Sequence, residues 1–230
     1  MIAFFTYTSY IFVALFWTLA YIAIIYRGWK DKTYGMPIVA MSANIGWEGL
    51  LTFVIPTPLI LQIRNVVWFS LDVLILIQCL MYAPRELRHP VLQRYARPIV
   101  IASVIMATAV VGTFMVEFQD LRGWYAGFGM NLSMSILFVF MYLDRNDIRG
   151  QSLYIALFKF LGTLGAIGAV IFASPENVLT GFTGVLPDQW YPPSPLMLVM
   201  YGVIFVFDII YIVAIYRQIA ARGINPWRRF

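Results

Sequence analysis

Charge is scarce in this chain. Asp, Glu, Lys and Arg make up 12% of its 230 residues, against 61% hydrophobic. A soluble domain carries roughly 25% charged residues. With a mean hydropathy of +0.79, the deficit excludes a water-facing surface of ordinary composition and sets most side chains against lipid or other helices. Cysteine is nearly missing: Cys79 stands alone, so no intrachain disulfide can form. His89 is the one histidine, and one Cys with one His cannot build a zinc site of the usual nitrogen and sulfur type. The short alternating segments of an outer-membrane barrel are missing too. A leader peptide does not explain the apolar bias, which recurs to the end of the chain. The net charge of +5 does not mark a nucleic-acid binder, because the basic residues sit in short loops between apolar runs.

What is present is a series of long apolar runs. A spanning helix needs about 20 such residues, and seven candidates lie at 9–26, 34–55, 66–83, 98–117, 124–143, 152–173 and 196–217. No connection is long enough for a soluble domain. The sequence therefore predicts an all-α integral membrane bundle of seven transmembrane helices, one domain over 1–230. Loop charge orients it. Arg27, Lys30, Lys32, Arg85, Arg88, Arg94, Arg97, Arg145, Arg149, Arg217, Arg222, Arg228 and Arg229 fall on one side, Arg64 and Arg122 on the other. The positive-inside rule makes the first side cytoplasmic, with the N-terminus outside and the C-terminus in the cytoplasm. Prolines punctuate the spans: Pro56 and Pro58 end the second, Pro84 ends the third and Pro98 opens the fourth. The segment 174–195, with Pro175, Pro187, Pro192, Pro193, Pro195, Trp190 and Tyr191, reads as a lid over a site between helices or as an interfacial aromatic anchor.

Five ionisable residues fall within these spans: Glu48, Asp72, Glu117, Lys159 and Asp208. Such residues are costly in lipid and by default mark a site facing the bundle interior. Counting inward places Glu48, Asp72 and Asn131 in the outer half, Asp208 midway, Glu117 near the outer surface and Lys159 in the inner half. One polar cluster from the second, third, fifth and seventh spans is expected. Asn44 and Glu48 share a helix face, as do Asp208 and Tyr211. The plainer reading pairs each carboxyl structurally, Asp72 with Lys159 or Arg64 for example. Desolvation disfavours the charged form of a carboxyl, which makes a buried acid a proton donor. Trp47, Trp68, Phe69, Tyr201, Phe205 and Tyr211 flank these acids, and ring faces stabilise positive charge. The combination suits protonation of an alkene or epoxide and steering of a carbocation. It suits a proton-coupled transporter equally well.

The chain resembles the small membrane-bound terpene cyclases of fungal meroterpenoid and indole-diterpene biosynthesis and their bacterial relatives. The resemblance begins at Lys30-Asp31-Lys32-Thr33-Tyr34-Gly35-Met36 and runs into Asn44-Ile45-Gly46-Trp47-Glu48. It continues through Trp68-Phe69 with Asp72, through Asn131-Leu132-Ser133-Met134-Ser135-Ile136-Leu137-Phe138 and Lys159-Phe160-Leu161-Gly162-Thr163, and ends at Phe207-Asp208-Ile209-Ile210-Tyr211. It implies a class II, protonation-initiated cyclisation of a farnesyl or geranylgeranyl substrate, with Glu48 and Asp208 matching the family's two essential acids. One donates the proton and the other activates or orients it. Asn44, Trp47, Trp68, Phe69, Asp72, Asn131, Tyr201, Phe205 and Tyr211 are the candidate substrate contacts. No metal cofactor is implied. The chain has no Asp-Asp-x-x-Asp run for magnesium, since Asp144-Arg145-Asn146-Asp147 has the wrong spacing, and no Asp-x-Asp-Asp segment of the soluble class II cyclases. The expected partners are a prenylated small molecule and the bilayer, in a bacterial plasma membrane or a fungal endoplasmic reticulum.

Three other readings compete. A proton-coupled small-molecule transporter fits intramembrane carboxyls, although the second and seventh spans carry no internal proline, and Gly46 and Gly49 flank Glu48. A retinal protein would need a Schiff-base lysine on the last span, and Lys30, Lys32 and Lys159 all lie elsewhere. A purely structural membrane subunit leaves the acids without a purpose, unless partner helices pair with them.

Overall fold

The computed structural model describes residues 2–57, 59–173 and 194–230. Among them there is no β-strand. The helices are α1 (Ile2–Asp31), α2 (Ile38–Phe53), α3 (Leu59–Glu86), the short α4 (Pro90–Arg94), α5 (Ala96–Glu117), α6 (Trp124–Arg145), α7 (Leu153–Ala173) and α8 (Pro195–Ala221), followed by a 3-10 turn at Pro226–Arg228. Six of them, α1, α3, α5, α6, α7 and α8, are long and apolar enough to cross a membrane. The chain is a multi-pass integral membrane protein.

α2 departs from expectation. It has 16 residues rather than the 22 of the run 34–55, a rise of about 24 Å. Pro37 stands at its N-cap, and at the other end it stops ahead of Pro56. α3 departs the other way. It begins at Leu59 rather than 66 and runs through Pro84, which sits inside the helix instead of ending it. A proline cannot donate to the carbonyl four residues back. That carbonyl belongs to Leu80, and Arg97 Nε donates to it at 3.3 Å. The lid or anchor reading of the segment from 174 falls on residues 174–193, outside the described residues.

Six helices close a ring. α1 packs on α7 and α3, α3 on α2, α2 on α6, α6 on α8 and α8 on α7, while α5 lies outside the ring, mainly against α2. The approach of α1 to α7 depends on glycine: a Cβ at Gly165 would sit 2.7 Å from the backbone nitrogen of Val13. The outer face of α5 carries exposed Ile101, Ile105, Met106 and Val110, the composition expected against acyl chains.

One end of the bundle is knotted by its basic loops. Arg27 pairs with Asp31 at 2.6 Å and Arg229 with the same carboxylate at 2.7 Å. The Gly150 amide donates to it at 2.9 Å, and Arg27 Nη1 donates to the Phe230 carbonyl at 2.9 Å. Arg145 donates to the Tyr34 carbonyl at 2.8 Å and stacks over the Tyr34 ring at 4.2 Å. Arg149 joins Glu86 at 2.9 Å. Burial lowers the Arg229 pKa from its usual value, and the Asp31 carboxylate works against that shift. The segment Lys30–Met36 thus builds this knot and lies at the end away from the cavity described next.

Candidate active site

A cavity of about 500 Å³ lies inside the ring, toward the end opposite the knot. Small-molecule sites span roughly 300–1,000 Å³. α1 contributes Tyr10, Val13, Trp17 and Tyr21; α2 contributes Asn44, Trp47, Glu48 and Leu51; α3 contributes Leu61, Arg64 and Trp68. The far wall is Trp124, Gly127, Phe128, Met130, Asn131 and Met134 of α6, with Ala166 and Ala169 of α7. Pro56, Thr57, Leu121, Arg122 and Gly123 form the rim. Trp47 Nε1 donates to the Gly123 carbonyl at 3.2 Å. Gly123 has a φ of +69°, and the indole occupies the space where a Cβ would stand.

Two buried polar groups meet this chamber. In the first, the Tyr21 hydroxyl donates to Glu48 Oε1 at 2.6 Å. The Asn44 amide reaches Tyr21 Oη at 2.6 Å, Glu48 Oε1 at 3.2 Å and Asp72 Oδ2 at 2.7 Å. Asn44 Nδ2 thus bridges the Glu48 and Asp72 carboxyls. All four side chains are buried. Among the described residues, Glu48 Oε2 and Asp72 Oδ1 have no donor. Edge-on contact of Trp68 with Tyr21, at 6.3 Å between centroids, covers the group.

In the second group, Lys159 pairs with Asp208 and donates to Ser135 Oγ at 2.6 Å. Asn131 Nδ2 donates to Thr163 Oγ1 at 2.8 Å, and Thr163 donates to the Lys159 carbonyl at 3.0 Å. Asn131 is the member of this group that lines the cavity.

The single expected cluster is therefore two. Asp72 pairs with neither Lys159 nor Arg64 but with Asn44. Glu117, at the end of α5, is exposed. Of the candidate site residues, Asn44, Trp47, Glu48, Trp68 and Asn131 line the cavity, and Asp72 stands directly behind Glu48. Asp208, Phe69, Tyr201, Phe205 and Tyr211 lie outside the lining. Phe69 packs on Phe53, Tyr201 on Phe128, Phe205 on Phe160 and Tyr211 on Phe138. Tyr211 also donates to Gln151. The reading of the sequence missed Tyr10, Tyr21, Ser135 and Thr163. Within an apolar run a tyrosine reads as packing, and only its contact with Glu48, 27 residues away, gives it another role. Asp120 was missed as well: its carboxylate caps α6 by accepting from the amides of Trp124 at 2.9 Å and Ala126 at 2.8 Å. Among the described residues no three His, Cys, Asp or Glu side chains converge as a metal site would require.

The family described as Pyr4-like transmembrane terpene cyclases matches residues 2–221. The chain is 26% identical over 205 residues to asnovolin H synthase nvfL of Aspergillus novofumigatus, covering 87% of this chain and 81% of that one. It is 26% identical over 211 residues to terpene cyclase ascF of Acremonium egyptiacum, covering 85% and 75%. With terpene cyclase pyr4 of Aspergillus fumigatus it shares 29% over 154 residues, covering 64% and 62%. No solved structure matches it. An all-helical membrane bundle, an aromatic chamber with a buried carboxyl in its wall and a match over nearly the whole length together make this chain a member of the Pyr4-like transmembrane terpene cyclases.

Proposed function

We propose that the protein is a class II cyclase in which Glu48 protonates the terminal double bond, or a terminal epoxide, of a prenylated substrate held in the cavity. The observation that carries this reading is the Glu48 and Asp72 carboxyl pair. Its hydrogen-bond donors, Asn44 and Tyr21, are neutral, and no cation bonds to it among the described residues. Two adjacent carboxyls in an apolar site do not both ionise. The pair keeps a proton, which also supplies the donor that Glu48 Oε2 and Asp72 Oδ1 otherwise lack. Asp208 is placed differently. It pairs with Lys159, and we assign it the orienting role: it fixes Lys159, and through Ser135 and Thr163 the cavity-lining Asn131.

In the first step the Glu48 proton forms a C–H bond with the π pair of the terminal alkene, leaving a tertiary cation. With an epoxide the proton goes to oxygen as the C–O bond breaks. Each further double bond then attacks the cation in turn, closing rings. Loss of a proton beside the last cation ends the cascade, so product and substrate are isomers. Trp17, Tyr21, Trp47 and Trp68 put aromatic rings in the chamber wall, and aromatic rings stabilise positive charge. The chamber opens away from the basic loops, hence toward the outer half of the bilayer in a seven-span arrangement with the N-terminus outside. A prenyl chain then enters from lipid. The transporter reading is not favoured, since the relatives are cyclases by name.

The test is product analysis by mass spectrometry. Membranes holding the protein are incubated with prenylated aromatic substrates, epoxidised and not, with EDTA present. A product of unchanged mass at a new retention time, absent with Glu48→Gln, is expected. Full activity of Glu48→Gln, or a strict need for magnesium, overturns the proposal.

A further inference from the structure

We propose that the open rim of the cavity holds a second subsite, built on Arg64, that binds the ionised head group of the prenylated substrate: a carboxylate, phenolate or enolate. The inference rests on the cyclase reading and extends it to the direction in which the substrate lies.

Arg64 is a fixed side chain. Its Nε and Nη2 donate to Asn65 Oδ1 at 3.2 and 2.8 Å. Asn65 is itself buried and anchored through its amide to the Leu51 carbonyl at 3.3 Å. The guanidinium lies over the Trp68 ring at 4.7 Å. Among the described residues no carboxylate forms an ion pair with Arg64, although it lines the cavity. Arg122 lines the same cavity, and Tyr10 lies within electrostatic reach of both guanidinium groups. Two positive charges thus share one rim above apolar walls. The Nη1–Nη2 end of the guanidinium fork, the edge that Asn65 does not take up, matches a planar oxyanion. Here the fork is oriented in advance, so little freedom is lost on binding.

Arg64 and Asp72 are eight residues apart on α3, about 12 Å along the helix. Trp68 lies between them, and Glu48 lies beside Asp72. A cation at the rim and an acid at the floor set the substrate's polarity: head at Arg64, terminal isoprene unit at Glu48. Glu48 lies within electrostatic reach of Arg64, and once it carries its proton the compensation of the guanidinium falls to the head group.

The test uses the full chain in neutral detergent, carrying Glu48→Gln so that no turnover intervenes. The probes are a farnesylated 4-hydroxybenzoic acid and its methyl ester. Binding is read from quenching of the fluorescence of Trp17, Trp47, Trp68 and Trp124, all of which line the cavity. With Arg64 intact the acid binds about tenfold more tightly than the ester. Arg64→Gln removes that preference, weakening the acid about tenfold more than the ester, whereas Arg64→Lys keeps part of it. No preference with Arg64 intact, or equal loss of both ligands in Arg64→Gln, overturns the subsite. Phosphatidic acid in mixed micelles displacing the probe as well as the farnesylated acid does would assign the rim to a lipid phosphate and overturn the substrate assignment. Because binding is measured without turnover, missing cyclic product in the wild type strikes the cyclase reading and leaves this result standing.

Discussion

Glu48 and Asp208 are carboxyls of similar burial with different partners, and the two roles proposed for them rest on that difference. Among the described residues Glu48 has an amide and a hydroxyl as hydrogen-bond donors, and Asp208 has an ammonium. Breaking the second pair is expected to be expensive. Asp208→Asn leaves the Lys159 charge buried without its partner, and removing one member of a buried ion pair costs about 3–5 kcal/mol. The expected result is a large fall in melting temperature in detergent. Replacing both residues, Lys159→Met with Asp208→Leu, restores most of the stability but not the activity. A double variant as unstable as the single one would show that the pair is not what Asp208→Asn breaks. The sequence made part of this legible. Asn44 and Glu48 lie four apart on one helix, so their alliance follows from periodicity alone. The partners of Asp72 and Asp208 could not be read that way, because Asn44 and Lys159 lie 28 and 49 residues from them. Local spacing says nothing about such distances.

At the scale of the helix, the apolar runs located the long elements, and errors gathered at their ends. From the sequence Pro84 reads as a stop, because the usual effect of proline is to free a carbonyl. The structure keeps the helix going by giving that carbonyl to Arg97, a residue on the next long helix. Asp120 is the corresponding device at the start of α6. It lies three residues ahead of Gly123, the N-cap position, and accepts two backbone amides there. Burial raises its pKa, and those amide bonds oppose the rise. Asp120→Ala removes the cap, and loss of such a cap costs about 1 kcal/mol. The turn that carries Gly123 also supports Trp47. A lower melting temperature together with altered Trp fluorescence is therefore expected, and an unchanged melting curve would count against the cap.

For the whole molecule, loop charge proposed an arrangement that α2 makes demanding, because its 16 residues are few for a complete crossing. Cysteine labelling tests it directly, since the native Cys79 is fully buried and leaves a quiet background. Glu117→Cys is expected to react in intact cells, and Asn225→Cys only after permeabilisation. Equal labelling of both from outside would rule out the orientation. The ring itself was not visible in the sequence, because hydropathy gives the number of runs and not their neighbours.

The seam between α1 and α7 has a further consequence, for the order of assembly. Residues 21, 44, 48 and 72, which make up the acid group, all precede α7 in the chain and are synthesised well before it. The wall that closes over them includes Ala166 and Ala169 and cannot form until α7 arrives to dock at Val13. Until then the acid group lacks that part of its wall. Contacts so distant in sequence form slowly, and incomplete intermediates are vulnerable. A substitution at Gly165 would therefore act less on the finished cyclase than on the yield of chains that ever complete it.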